Sequence, residues 1–278
     1  MSETKVVYGT KEFLQSNSII AKVSFLFLVL FLFIILLRLG MSFIGWLLSS
    51  RNSPKLINGM IDAKQMIVFP QDPSLNNAAT IYRSVNATDG IEFTWSVWIF
   101  IDNLQYLDGQ YRHVFHKGNY QLDSMGKNFP NNAPGLYIAP NTNSNTNSIV
   151  VIMNSYNEIN EEITIPNIPL NKWVNVIIRC QNNKLNVYIN GTIVRSLELA
   201  GVPKQNYGDI FCCANGGYDG FLSNLWYYNY ALGTAQINQI TNAGPNTKLT
   251  SSSALGQPFS KYLSLRWFFY GEGDGYNP

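Results

Sequence analysis

Four groups of side chains have the types and spacing that chemistry asks for. The first is Glu158-Ile-Asn-Glu-Glu162. Retaining glycoside cleavage needs two carboxyl groups about 5 Å apart. The stretch approaches a Glu-Ile-Asp-x-Glu spacing, with Asn160 where the Asp would stand. Its surroundings, Asn154-Ser-Tyr-Asn157, read as a hairpin tip, so the expectation is a solvated turn and no catalytic residue is assigned. The second group is the aspartates 102, 123, 209 and 219, in loop-like positions. Calcium needs several convergent oxygens, and no ligand spacing links these four. Calcium therefore stays open but unsupported, and no cofactor is indicated. Third, His113 and His116 stand three apart on an expected strand, which points them to opposite faces and makes a poor metal pair. Fourth, Cys212 and Cys213 are adjacent and also point to opposite faces. One of them at most could reach Cys180, and free buried thiols are the default reading. Two N-glycosylation sequons, Asn86-Ala-Thr88 and Asn190-Gly-Thr192, complete the set. Asn86 is the candidate, usable in a lumenal topology; Asn190 lies in a tight turn.

The elements that must carry these groups fall into two parts. Residues 23–37 hold fifteen positions without a charge, and the apolar run reaches nineteen from Ile19 if Lys22 is tolerated. A helix of that length spans roughly 28 Å, close to the hydrocarbon thickness of a bilayer. Phe25, Phe31 and Leu37 lie in the span, Lys22 and Arg38 sit where basic side chains snorkel to headgroups, and Trp46 is a candidate interfacial anchor. A cleaved signal peptide and a buried soluble helix are the competing readings. The n-region is long for a signal peptide, and no clean cleavage site follows. Three basic residues precede the span (Lys5, Lys11, Lys22) and three follow it (Arg38, Arg51, Lys55), so orientation is undecided.

Composition agrees with an anchor plus a folded domain. The chain has 278 residues, 19 basic and 17 acidic, and a charged fraction of 13%. A soluble domain carries about 25%. A net charge of +2 excludes a strongly basic nucleic-acid binder, and three cysteines exclude a disulfide-stapled scaffold. Two histidines exclude a histidine-rich metal site. Residues 1–64 hold seven basic and three acidic residues, whereas 65–278 hold twelve and fourteen. The positive charge thus belongs to the membrane flanks.

After a linker at 49–65 the pattern turns to period two. In 92–101, Phe93, Trp95, Val97, Ile99 and Ile101 share one face, and bulky Trp98 and Phe100 stand on the other. That suits a central strand covered on both sides. Further strands are expected at 112–117, 135–139, 149–153, 162–165, 172–181, 185–189, 192–199, 210–214 and 220–228. Asn190-Gly191 fits a type I′ hairpin turn. Only 231–240 looks helical. Many short strands between turn residues imply an antiparallel sandwich. Asparagine is abundant, 33 residues, and the tract 141–148 reads as a polar surface loop.

Four stretches, in order, carry a family resemblance: Phe93-Thr-Trp-Ser-Val-Trp-Ile99, Leu170-Asn-Lys-Trp-Val-Asn-Val176, Leu185-Asn-Val-Tyr-Ile-Asn-Gly191, and Gly220-Phe-Leu-Ser-Asn-Leu-Trp-Tyr-Tyr-Asn-Tyr-Ala-Leu232. Together they resemble the laminin G-like, concanavalin A-like jelly roll over roughly residues 66–242. The resemblance implies an all-β, antiparallel jelly-roll β-sandwich, preceded here by a single N-terminal transmembrane α-helix. At Ser223 the chain departs from the commoner pattern, which has an acid, so no role of that acid is carried over. Trp95, Trp173 and Tyr188 are expected in the core or on sheet faces, and Gly216, Gly217 and Gly220 in a tight loop.

The wording around 223–232 is similar to versions found in large DNA viruses of algae and protists. This implies a non-enzymatic, single-pass virion component, a minor capsid or inner-membrane-associated protein linking the internal membrane to the capsid shell. Its partners would be the lipid bilayer and capsid or envelope proteins, with no nucleic acid. The fold binds glycans in many relatives, which makes a lectin-like attachment protein the alternative and Tyr106, Asn119 and Tyr218 its candidate contacts; a glycoside hydrolase ranks third, since an intact Glu-Ile-Asp-x-Glu motif would have favoured it. The chain is then organised as a tail (1–18), an anchor (19–48), a linker (49–65), a sandwich (66–242) and a C-terminal tail (243–278). That last tail holds a dense aromatic run. Tyr262, Trp267, Phe268, Phe269 and Tyr270 are candidates for docking, on this chain's own sandwich or on a neighbouring protein.

Overall fold

The computed structural model describes residues 18–48, 54–75, 78–87, 90–141 and 147–250, with side chains described except at 42–48 and 85–87. Trp46, the Asn86 side chain and the aromatic residues 262–270 lie outside what is described. The chain divides into two compact units, Met1–Ser50 and Arg51–Pro278.

The first unit holds one helix, α1 (Ile19–Leu48). Its stretch Ile19–Met41, 23 residues, is long and apolar enough to cross a membrane. It is apolar all round, and Phe25, Phe31 and Leu37 are exposed to 46%, 67% and 45%. A helix without a polar face has no way to bury one side and wet the other, which is the pattern of a membrane span. Lys22 and Arg38 are exposed near the two ends of the apolar run.

The second unit is a two-layer sandwich of thirteen described strands, numbered in chain order, and every strand pair is antiparallel. One sheet runs in the order β1 (Met60–Asp62), β13 (Gly220–Tyr228), β4 (Gly90–Ile101), β9 (Trp173–Gln181), β10 (Lys184–Ile189) and β11 (Thr192–Glu198). β3 (Val85–Ala87) pairs with the start of β4. The other sheet runs β2 (Ile67–Phe69), β12 (Asp209–Cys212), β5 (Arg112–Gly118), β6 (Gly135–Ile138), β7 (Ile149–Met153) and β8 (Glu161–Ile165). Alternation does what the sequence predicts. Phe93, Trp95, Val97, Ile99 and Ile101 enter the core between the sheets with Val174, Val176, Ile178 and Cys180 of β9. Trp95 lies 5.3 Å from Phe115 of the opposite sheet and 4.9 Å from Tyr227, ring centre to ring centre.

The outer face of β4 is also buried. Ser96 and Trp98 are 1% and 6% exposed. Part of the cover on this face is α2 (Thr234–Ala243), whose Ile237 joins Leu232 and Ile177 in a second small core. Arg179 Nε donates to the Leu232 carbonyl at 2.9 Å, and Leu232 N donates to Thr94 Oγ1 at 3.0 Å.

The folded unit begins earlier than residue 66. Leu56, Ile57, Ile61 and Ala63 are buried, and β1 pairs with β13. A three-residue strand is too short to show a period in sequence, so residues 54–65 read as linker. Residues 244–250 belong to the same edge. Leu249 bridges Met60 in parallel, and Thr250 N donates to the Met60 carbonyl at 2.8 Å.

Asparagine has a second role beside surface polarity. Eight of the ten described non-glycine residues with positive φ are Asn: 147, 160, 167, 171, 182, 190, 215 and 224. After glycine, Asn is the residue that adopts the left-handed region most readily, because its short amide bonds to nearby backbone. The turns of this sandwich are made with it. Where even Asn does not fit, glycine is needed. Gly220 has φ +147°, and a Cβ there would stand 1.9 Å from the Phe100 carbonyl oxygen of the paired strand. Gly220→Ala is expected to destabilise the folded unit by more than about 1 kcal/mol, read as a lower urea midpoint; an unchanged midpoint would remove the argument.

Candidate functional site

A concavity forms at the β1 edge of the seven-stranded sheet, around a bulge in β13. Pairing with β4 shifts register between Ser223 and Trp226, and Asn224 takes φ +52°. The bulged backbone captures the incoming chain: Leu56 N and Ile57 N both donate to the Leu225 carbonyl, at 2.9 and 3.2 Å, and Asn224 N donates to the Gly59 carbonyl at 3.2 Å. Lys55 then bridges Trp226, its ammonium 4.5 Å from the indole centre. Burial lowers the pKa of Lys55. On the other side α2 ends at Gly244, and Asn246 locks onto the bulge through Ser223. Asn246 N donates to Ser223 Oγ at 3.1 Å, and that hydroxyl donates to the Asn246 carbonyl at 2.8 Å.

Between these pieces lies a cleft of about 230 Å³, walled by Trp98, Trp226, Ile240 and Pro245, with Lys55 and Asn246 as polar groups. Asn224 also borders it, and its Oδ1 is buried without a partner among the described residues. Lys55 and Trp226 are far apart in sequence, and no local pattern announces their meeting.

The residues singled out in sequence fare differently. Tyr218 is fully buried, and its hydroxyl donates to the Phe221 carbonyl at 2.8 Å, so it cannot touch a glycan. Positive φ at Cys213, Asn215, Gly216 and Gly217 curls this loop and turns the ring inward. Tyr106 is half-buried under Lys64, whose ammonium lies 4.9 Å from the ring centre. Asn119 is half-buried, and its amide donates to Gln121 and Phe129 at 3.4 Å. No hydrogen bond or ring contact joins Tyr106 to Asn119 among the described residues.

Only residues 158–160 of the carboxylate stretch form the expected turn, with φ +60° at Asn160; Glu161 and Glu162 open β8. Glu161 is buried and accepts from Ala200 N at 2.9 Å, while its neighbour Glu162 faces out and pairs with Lys127 at 2.7 Å. Adjacent strand residues point to opposite faces, so these two cannot flank one bond. Three of the four loop aspartates are tied up locally. Asp209 accepts from Gln71 N at 2.8 Å, Asp123 from Met125 N and Lys127 N at 2.9 Å, and Asp219 holds Lys64 at 2.6 Å and the Asn103 amide. Among the described residues no three His, Cys, Asp or Glu side chains are placed to hold a metal.

The cysteines are free and buried. Cys212 and Cys213 enter the same core rather than opposite faces, because β12 ends at Cys212 and Cys213 turns back with φ +53°. Burial pushes the Cys180 thiol up to about 12.

The two histidines also meet, against the expectation from strand parity. A register shift between His113 and Phe115 rotates the strand, and His113 Nε2 lies 2.5 Å from His116 Nδ1. The chain of bonds fixes the protons. Ala214 N donates to His113 Nδ1 at 3.0 Å, so His113 carries its proton on Nε2 and donates it to His116 Nδ1. His116 in turn donates from Nε2 to the Asn119 carbonyl at 2.8 Å. Every ring nitrogen is used with both rings neutral, so this pair has no lone pair left for a metal. Phe211 stacks on His116 at 5.0 Å, and Tyr137 meets His113 edge-on at 5.3 Å.

Residues 74–238 match the laminin G-like family described as the concanavalin A-like lectin/glucanases superfamily. The chain belongs to this family. No curated protein matches it. Among solved structures, this laminin G-like chain is similar to the receptor binding domain of botulinum neurotoxin D, at 16% identity and TM-score 0.43, covering 61% of this chain and 40% of that one. It is also similar to the binding domain of botulinum neurotoxin DC in complex with rat synaptotagmin II, at 15% identity and TM-score 0.41, covering 55% and 36%. The match thus spans well under half the length of these structures, and it is the family match that carries the assignment.

Burial lowers His116 from 6.5 to about 4 and holds His113 well below its ordinary value. The unfolded chain therefore takes up protons first as pH falls. Stability is full above about pH 6.5 and drains toward pH 4, at about 1.4 kcal/mol per histidine per pH unit. Denaturant unfolding across that window should show the loss, and nitrogen NMR should find both rings neutral and protonated on Nε2 near pH 6. A charged ring at that pH would refute the assignment.

Proposed function

We propose that this protein is a non-enzymatic binding module held at a membrane by α1. The observation that carries the reading is the pairing of a helix with no polar face and a laminin G-like sandwich. In that sandwich two carboxylates of the stretch 158–162 have structural partners. Glu161 holds a backbone amide and Glu162 a lysine. The finer reading is a virion component, a minor capsid or inner-membrane-associated protein that links the internal membrane of a large DNA virus to its capsid shell. It is supported by the wording of residues 223–232 and by the anchor. Its partners would be the bilayer and capsid or envelope proteins.

The alternative is a glycan-binding attachment protein. The lectin character of the family favours it, as do Tyr106 and Asn119, which keep part of their surface in solvent.

Alkaline carbonate washing of membranes from expressing cells should leave the full chain in the pellet; release into the supernatant would end the anchored reading. Mass spectrometry of purified particles should then find the chain with the membrane retained and lose it when the membrane is stripped. Absence from intact particles would reject the virion role. Selective binding on a glycan array by the full chain in nanodiscs would favour the alternative.

A further inference from the structure

The edge built from residues 54–60 and 244–250 combines features found together nowhere else in the described sandwich. Lys55 is partly buried, is in no ion pair among the described residues, and contacts an indole face. Beside it the Asn246 amide nitrogen makes a single bond among the described residues, 3.4 Å to Asn58, and the buried Asn224 Oδ1 has no partner there. Among the described residues no carboxylate lines the cleft. Two residues beyond Asn246, Lys248 is exposed, and Leu249 beside it is 67% exposed although its backbone is fixed against Met60. Lysine, tryptophan and an exposed leucine in one small area have the composition of groups that settle at headgroup level, where the ring and the stems lie in the apolar boundary and the ammonium meets phosphate.

On the anchored reading, chain length limits how far this edge can lie from the bilayer. The helix ends at Leu48, and Lys55 follows seven residues later. Seven residues extend to about 25 Å at most. Charge suits this edge: it carries Lys55 and Lys248, while residues 65–278 as a whole hold fourteen acidic against twelve basic side chains.

We propose that this edge is a docking surface for anionic phospholipid headgroups of the membrane that α1 enters. Lys55 and Lys248 bind phosphate oxygens, Asn246 donates beside them, and Leu249 with the rim of Trp226 rests at the acyl boundary. The proposal rests on the membrane-anchored reading. It adds that the sandwich lies against the bilayer by its β1 edge, leaving the six-stranded sheet free for a protein partner.

The test places the full chain in nanodiscs of phosphatidylcholine alone or with added phosphatidylglycerol, and reads amide hydrogen exchange at residues 55–60 and 246–250. Exchange there should slow in the anionic discs, by about fivefold for each lysine engaged. The double variant Lys55→Glu/Lys248→Glu should abolish the difference while exchange in β4 and β9 stays unchanged, which shows that the fold is intact. Equal exchange in the two discs, or a difference that survives in the variant, overturns the proposal. So does equal protection by soluble glycerol phosphate in phosphatidylcholine discs, since the edge would then be a site for a free anion. A chain released by carbonate fails the anchored reading; a chain that stays embedded but ignores lipid charge fails only this one.

Discussion

The sandwich depends on one strand being buried on both faces. β4 carries Phe93, Trp95, Val97, Ile99 and Ile101 inward, and the bulky Trp98 and Phe100 outward. An outward tryptophan on a central strand must be covered, because leaving such apolar area in water costs about 25 cal/mol for each Å². The cover on this side is α2 and the residues after it. They are held by hydrogen bonds that reach into the sheet: Leu232 N to Thr94 Oγ1, Arg179 to the Leu232 carbonyl, and Asn246 to Ser223. Covering β4 therefore brings the end of the folded unit back to its beginning. Residues 244–250 finish beside residues 54–60, and the cleft of Trp98 and Trp226 is the space left where the two meet.

The six-stranded sheet covers its outer face by polar means. Tyr137, Val150 and Ile152 form a small apolar patch there. Over it lies a network in which Tyr137 donates to Asn132 at 2.7 Å, Asn132 donates to the Asn128 carbonyl at 2.8 Å, and the paired histidines link β5 to residues 119 and 214. A buried polar group left unpaired costs about 1–3 kcal/mol, and here nearly every atom of the network is used. Arg112 shows the same economy. Its guanidinium is fully buried, yet it donates to the carbonyls of Leu104, Tyr106 and Ala139 and so fixes the loop at 104–108. The two outer faces thus differ in chemistry: one is apolar and helix-capped, the other a saturated hydrogen-bond lattice.

The fold was largely legible in the sequence because its signals are local. Strict alternation in β4 and β9, the Asn190-Gly191 turn and the apolar run of α1 each state their structure within a dozen residues. The site was not. Tyr218 follows a glycine-rich stretch, and only the positive φ at Cys213, Asn215, Gly216 and Gly217 explains why it is buried. His113 and His116 should have faced apart by strand parity, but one bulge brought them into contact. β1 was too short to be seen, and without β1 the edge that gathers Lys55, Trp226 and Asn246 has no visible cause.

What the sequence determined by itself is the division into an apolar helix and an all-β unit, the family of that unit, and the inward face of its long strands. These follow from period and composition, which neighbouring residues impose on one another. What only the tertiary structure decided is which polar groups meet. Bulges at Ser223–Trp226 and His113–Phe115, left-handed turns made by asparagine, and the return of residues 244–250 to the first strand each change a side chain's direction by a local irregularity. Such irregularities are set by the need to close two sheets on one core and to satisfy every buried donor, a condition on the whole molecule that no short stretch of residues encodes.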